Sequence, residues 1–217
     1  YAPIISNYIK NNQISELDLK YKEISKLLFF IGALLYSCIF LGINNLFMLL
    51  PTHENLIDSI PVILILGFNV LINMGTGFNG EIITYSKYYK FNLIAIGLLI
   101  ILNVSLNLLF IKVLNYGIEG VAVASLISMI LFNLSKLLFI YKKFKILPFD
   151  YSYIKLILVF VLVLLISYYL PIVNNHLLNL IYKILFCLSL NLLIIYKLKL
   201  VYSYNYWLEK TIQKLRF

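Results

Sequence analysis

The chain has 217 residues, 62% of them hydrophobic and only 12% charged, and its mean hydropathy is +0.94. A soluble domain keeps about 25% charged residues to stay wet, so this deficit excludes an ordinary soluble domain and places the chain in lipid. The net charge of +9 would point to nucleic acid in a soluble protein; here it reads as membrane topology, and no nucleic-acid partner is expected.

The chain opens Tyr1-Ala2-Pro3, with no initiator Met and no basic-then-apolar signal pattern. The expectation is a processed chain or the C-terminal part of a longer protein. Residues 1–26 are polar and mixed in charge. Ser15 with Asp18 predicts a helix N-cap, and the helix is expected to run from about Glu16 without a break into a first span, Leu27–Leu50, stopped by Pro51.

A second span, Ile57–Phe78, carries Asn69, Asn73 and three glycines. The third and fourth, Phe91–Ile111 and Ile118–Ile140, form a hairpin with a tight turn at Asn115-Tyr116-Gly117. Phe91–Ile111 crosses roughly 31 Å at about 1.5 Å per residue, the thickness of the hydrocarbon core. The fifth span is Ile154–Leu170, stopped by Pro171, and the sixth is Leu177–Tyr196, interrupted by Lys183. In the tail, Trp207, Leu208, Ile212, Leu215 and Phe217 alternate with Lys210, Lys214 and Arg216, a pattern for a helix in the headgroup layer. The predicted fold class is all-α: a polytopic membrane bundle of six transmembrane helices, the C-terminal portion of a larger two-lobe transporter. Its segments are 1–26, a linker; 27–150, four helices of a transporter lobe; 151–200, two appended helices; and 201–217, an interfacial tail.

Sixteen of the 18 Lys and Arg residues fall in the N-terminal segment, the 79–90 and 141–153 loops with their flanks, and the tail; the other two are Lys112 and Lys183. By the positive-inside rule both termini face the cytoplasm, in a multi-pass protein of the inner (cytoplasmic) membrane. The connections 51–56, 112–117 and 171–176 are too short for an extracellular module.

No enzyme pattern is present. There is no Walker loop, and the nine acidic residues sit in connections or at span ends, which leaves no acid–base pair inside the membrane. His53 and His176 lie on turns without metal-ligand spacing, so neither metal nor cofactor is expected. Cys38 and Cys187 are in apolar runs and read as small buried filler. Asn103-Val104-Ser105 and Asn133-Leu134-Ser135 match the glycosylation pattern, but lipid buries both.

The polar groups inside the spans are therefore the candidates. Asn69/Asn73 and Asn103/Asn107, each four apart, share one face of their helices. Amides in hydrocarbon need partners. Either they hydrogen-bond between helices or they line a hydrated cavity, where amides suit sugar hydroxyls as both donors and acceptors. Gly120, Ala124 and Ser128 make a small-xxx-small packing seam. Lys183 either snorkels to the headgroups or faces an anion such as pyrophosphate. Lys136, near a span end, reads as snorkelling, and Glu81, Lys87 and Lys90 as solvated loop charge.

Asn79-Gly80-Glu81-Ile82-Ile83, Ser86-Lys87-Tyr88, Asn103, Leu106-Asn107 and the run Tyr116 to Ser128 (YGIEGVAVASLIS), in this order, with Pro3 to Ser6 ahead of them, resemble the polysaccharide export proteins. These are the O-antigen and capsule flippases of the multidrug/oligosaccharidyl-lipid/polysaccharide exporter superfamily. The resemblance covers about residues 1–150. Val121 and Ser125 stand where the family has Ala and Thr, and Lys87-Tyr88 where many members have Gly-Lys. It implies alternating access between two lobes without ATP hydrolysis, a lipid-linked glycan as cargo, and partner helices N-terminal to this chain in the same protein. It also implies that the last two spans, against membrane lipids, form a groove for a lipid tail. Two other activities are weighed: a drug or metabolite cation antiporter of the same superfamily, which needs an intramembrane carboxylate, and a polymerase or ligase of polysaccharide assembly, which needs a large external loop. The last possibility is a non-functional fragment of a truncated gene.

Overall fold

The apolar runs become helices almost end to end in the computed structural model, which describes residues 2–215. Arg216, Phe217 and the side chain of Leu215, part of the tail pattern, lie outside the described residues, as does Tyr1. The helices are α1 (Ala2–Lys10), α2 (Ile14–Met48), α3 (His53–Ile57), α4 (Ile60–Gly75), α5 (Asn79–Thr84), α6 (Tyr89–Leu108), α7 (Gly117–Phe144), α8 (Tyr151–Tyr168), α9 (His176–Lys197) and α10 (Tyr202–Leu215). No strand occurs among the described residues. The protein is an all-α polytopic membrane bundle.

Among the described residues five helices are long and apolar enough to cross a membrane: α2, α6 with the turn that follows it, α7, α8, and α9 with Leu198. The second predicted span differs. Pro61 sits in the first turn of α4, where a missing N–H costs nothing, and the helix stops at Gly75 after 16 residues. Gly77 then takes the left-handed conformation (φ +67°), and a Cβ there would collide with the Ser25 hydroxyl. Backbone geometry and crowding both demand glycine, so the apolar run is cut into α4, a break at 76–78 and the short α5.

The predicted unbroken entry helix is present as the 35-residue α2. Ser15 is not its N-cap. The helix begins one residue earlier, and the Ser15 hydroxyl instead donates to the adjacent Glu16 carboxylate at 2.7 Å. The helix follows a left-handed Asn12 (φ +54°), which already ends α1.

The chain forms two compact units: residues 1–25 with 61–148, and residues 26–60 with 149–217. The division falls inside α2 and cuts across the segment 27–150 drawn from the sequence, while 151–200 lies whole in the second unit. In the first unit Ile5, Leu17, Tyr21, Ile82 and Ile83 are fully buried, and the Tyr21 and Phe78 rings lie 5.1 Å apart. The hairpin α6–α7 belongs to this unit. It is joined by stacked Phe91 and Phe139 rings at 3.8 Å, and it ends in a π-helical turn, Leu109–Val113. Leu114 N–H donates to Leu109 O at 3.0 Å and Tyr116 N–H to Phe110 O at 3.0 Å. Ala95 is the one buried residue of α6; the rest of the helix is exposed or half-buried.

In the second unit Phe29, Phe30, Tyr153, Phe160 and Tyr204 form an aromatic core, with centroids 5.1 to 6.1 Å apart. Each such pair is worth about 0.5–1.5 kcal/mol beyond its buried area. Below it Leu41, Val163 and Cys187 pack together. Asp150 caps α8 by accepting from Tyr153 N–H at 2.8 Å. It also takes the Lys26 ammonium at 2.9 Å, and Lys26 reaches Ser152 Oγ at 2.8 Å.

Candidate functional site

The break after α4 exposes backbone and turns side chains toward α7, and the first unit gathers its buried amides there. Asn133, on α7 and 2% exposed, is the hub. Its Oδ1 accepts from Asn79 Nδ2 at 3.0 Å and lies 3.1 Å from Thr76 Oγ1, while its Nδ2 donates to Asn73 Oδ1 at 3.2 Å. Asn79 Nδ2 also donates to Thr76 Oγ1 at 3.0 Å. The single Thr76 hydroxyl proton has a second acceptor within reach, Asn73 O at 2.9 Å. Tyr21 of α2 closes the ring by donating to Thr76 O at 3.1 Å, a carbonyl that the break frees from helical bonding. Four helices thus meet on a polar network whose members satisfy one another, as burial requires.

Beside this network opens a cleft of about 450 Å³. Asn73, Asn79, Glu81, Thr84, Asn92 and Lys136 supply its polar lining, and Phe132 and Met129 its apolar floor. Lys136 does not snorkel. It is 6% exposed, its Nζ lies 3.9 Å from the Phe132 ring centroid, and it packs beside Gly80, 3.6 Å from the place a Cβ would occupy. The aromatic face holds the cation inside the bundle, and Glu81 lies near enough to act on it electrostatically. The cleft therefore offers amides, a hydroxyl, a cation and a carboxylate against an aromatic wall. That set can hydrogen-bond a polyhydroxylated ligand and stack on its apolar face.

Of the residues singled out in the sequence, Asn73 lies on this cleft. Asn69, one turn away, has its Oδ1 buried without a hydrogen-bond partner. Asn103 and Asn107 are elsewhere in the unit. Asn107 Nδ2 donates to Asn103 Oδ1 at 2.8 Å, and Asn103 Nδ2 to Ser125 Oγ of α7 at 3.3 Å, a tie across the hairpin. Asn107 Oδ1 has no partner. The two amide pairs, on α4 and α6, thus meet α7 at different levels, Asn73 at Asn133 and Asn103 at Ser125. Gly120, Ala124 and Ser128 are all buried. A Cβ on Gly120 would lie 2.9 Å from both Phe110 and Tyr116, so this glycine lets the π turn settle against α7. Ser128 returns its hydroxyl to Ala124 O at 2.8 Å.

Lys183 belongs to the second unit. It is 7% exposed and donates to Tyr168 O, at the end of α8, at 3.1 Å. It is one member of a buried row on α9 at four-residue spacing: Asn179, Lys183, Cys187, Asn191 and Ile195. Both cysteines are free thiols.

Sequence reasoning missed Asn133, Thr76 and Asn79 as a group. The available signal was Asn133 itself: an amide deep in a span with no polar neighbour four residues away needs a partner on another helix. The α9 row was visible as a repeat of period four. No protein-family model, no curated protein and no solved structure matches the chain.

Proposed function

We propose that this chain is part of a membrane flippase that moves a lipid-linked oligosaccharide across the cytoplasmic membrane by alternating access, without ATP hydrolysis. The observation that carries this reading is the polar cleft beside Asn133. Within apolar helices it groups amide donors and acceptors, a cation and an aromatic wall, the chemistry that recognises a sugar. The motif order that resembles polysaccharide exporters supports the same reading. So does the Lys and Arg distribution, which puts both termini, and with them the 79–90 loop that contributes Glu81 to the cleft, on the cytoplasmic side. On this reading glycan enters from the cytoplasmic leaflet, and the helices that complete the path lie N-terminal to this chain.

The test is complementation. Cells lacking the gene, given the full-length gene carrying Asn73→Leu, are expected to lose surface polysaccharide while membrane protein levels stay normal. Asn73 is suited to this because it is exposed on the cleft and contributes only one long bond to the network. Normal surface polysaccharide in that strain would overturn the proposal.

A further inference from the structure

The second unit holds a cleft of its own, about 790 Å³, where the end of α2, the α8–α9 connection and the start of α9 come together. Its volume is in the roughly 300–1,000 Å³ range of small-molecule sites. Two features set it apart. The first is charge. Lys183, which lines it, is the single Lys or Arg in residues 27–60 and 156–196, and no carboxylate lines the cleft. A buried ammonium in a membrane protein is costly unless something compensates it. Among the described residues Lys183 makes no ion pair, and its one hydrogen bond, to Tyr168 O, leaves two of its three N–H donors unused.

The second feature is the company Lys183 keeps. Asn45 Oδ1 is held by Asn179 Nδ2 at 3.1 Å and approached by the His176 ring at 3.4 Å, which leaves the Asn45 NH₂ group as an unengaged donor. Asn44, exposed beside it, makes no hydrogen bond among the described residues. Unused donors and a lone cation thus meet on one side, and Phe40, Leu41 and Leu170 supply apolar wall on the other. Such a site is complementary to an anion attached to a hydrocarbon chain, not to a free ion.

We infer that this cleft binds the phosphate headgroup of an anionic phospholipid, with Lys183 as the charge partner and Asn44 and Asn45 as hydrogen-bond donors. The inference does not depend on the flippase reading, because it concerns resident lipid in the other unit. By the Lys and Arg distribution this is the outer-leaflet end of the unit.

The experiment is native mass spectrometry of the full-length protein extracted from vesicles of phosphatidylcholine doped with phosphatidylglycerol. Wild type is expected to retain phosphatidylglycerol in preference to phosphatidylcholine. Lys183→Gln is expected to lower that retention about tenfold, the loss of one charge-assisted contact, while Lys183→Arg keeps most of it. Inorganic phosphate added as competitor should not displace the lipid. Displacement by phosphate would show a free-anion site and overturn the lipid assignment. Unchanged retention in Lys183→Gln would overturn the site. Should Lys183→Gln unfold because Tyr168 O loses its donor, Asn44→Leu decides: retention reduced severalfold supports the cleft, and full retention overturns it.

Discussion

The two units partner the polar residues of their helices in different ways. In the first, Asn73, Thr76, Asn79 and Asn133 satisfy one another side chain to side chain, between helices. In the second, Ser37 donates to Ala33 O, Ser167 to Val163 O and Asn191 to Cys187 O, at 2.7 to 3.0 Å, each to the preceding turn of its own helix. Cross-helix polar ties in the second unit are scattered: Lys26–Asp150 and Asn45–Asn179 toward its ends, the Ser37 and Ser167 hydroxyls at the Cys187 thiol, and Lys183, Tyr204 and Asn205 each donating to a carbonyl of a neighbouring helix. An amide bonded across helices specifies which neighbour sits at which height. A hydroxyl bonded to its own turn only makes the surface small, and lets any neighbour approach. The first unit is therefore tied together around one amide network, and the second around an aromatic core with scattered polar ties.

Asn133→Leu should break this contrast most severely. It takes one partner each from buried Thr76 and Asn79, which keep their bond to each other, and from exposed Asn73; the expected loss is about 2–4 kcal/mol at roughly 1–2 per buried group, read as unfolding in detergent or nanodiscs. A loss no greater than that of a lipid-facing substitution would mean that the network does not set the register. Gly77→Ala comes next, at about 1–3 kcal/mol for a residue forced to a positive φ with a clash added. The double variant with Ser25→Ala should recover the clash and keep the backbone cost.

The rim of the second unit gives a smaller effect that depends on pH. Partial burial pushes the Asp150 carboxyl up, but hydrogen bonds from Lys26, Ser152 and the Tyr153 N–H, together with the Lys26 charge, outweigh it and hold the group below its usual range. Its contribution is then fully present above the unfolded value of about 3.9 and is lost as pH falls through the lower folded value. Asp150→Asn keeps a helix cap and removes the charge, so wild type should melt higher than the variant at neutral pH and the two should converge in strong acid. Ser167→Ala should cost least, about 1 kcal/mol or less, since its bond to Val163 O is internal to α8 and its other contact is with the weakly hydrogen-bonding Cys187 thiol. A larger cost would show that the contact with Cys187 holds α8 against α9.

The helices themselves were legible because lipid leaves a plain signature: long runs such as Phe91–Ile111 without a charge. The hairpin at Asn115–Gly117 was legible for the same reason, as was the unbroken passage of α2. Spacing along one helix reports which side chains share a face, so Asn103 and Asn107 were found together, and they do bond to each other. It is silent on what a face meets. Asn79 and Asn133 are 54 positions apart, and no local pattern pairs them. The break at 76–78 was hidden because its glycines resemble the small residues that membrane helices use for packing; only the placement of Ser25 against Gly77 separates the two uses. Lys136 misled for a related reason. Its distance from the span end permits snorkelling, but the Phe132 ring one turn before it offers a nearer partner.

The π turn at Leu109–Val113 carries a residue more than an α-helix of the same height would need. That surplus turns the last residues of α6 by about 100° relative to a regular helix, with Phe110 there against Tyr116 and Gly120. It also makes this stretch the place where the hairpin can lose one residue and keep its length. Removal of a single apolar residue there would convert the turn to regular helix, and Tyr116 and Gly120 would then meet a different side chain in place of Phe110.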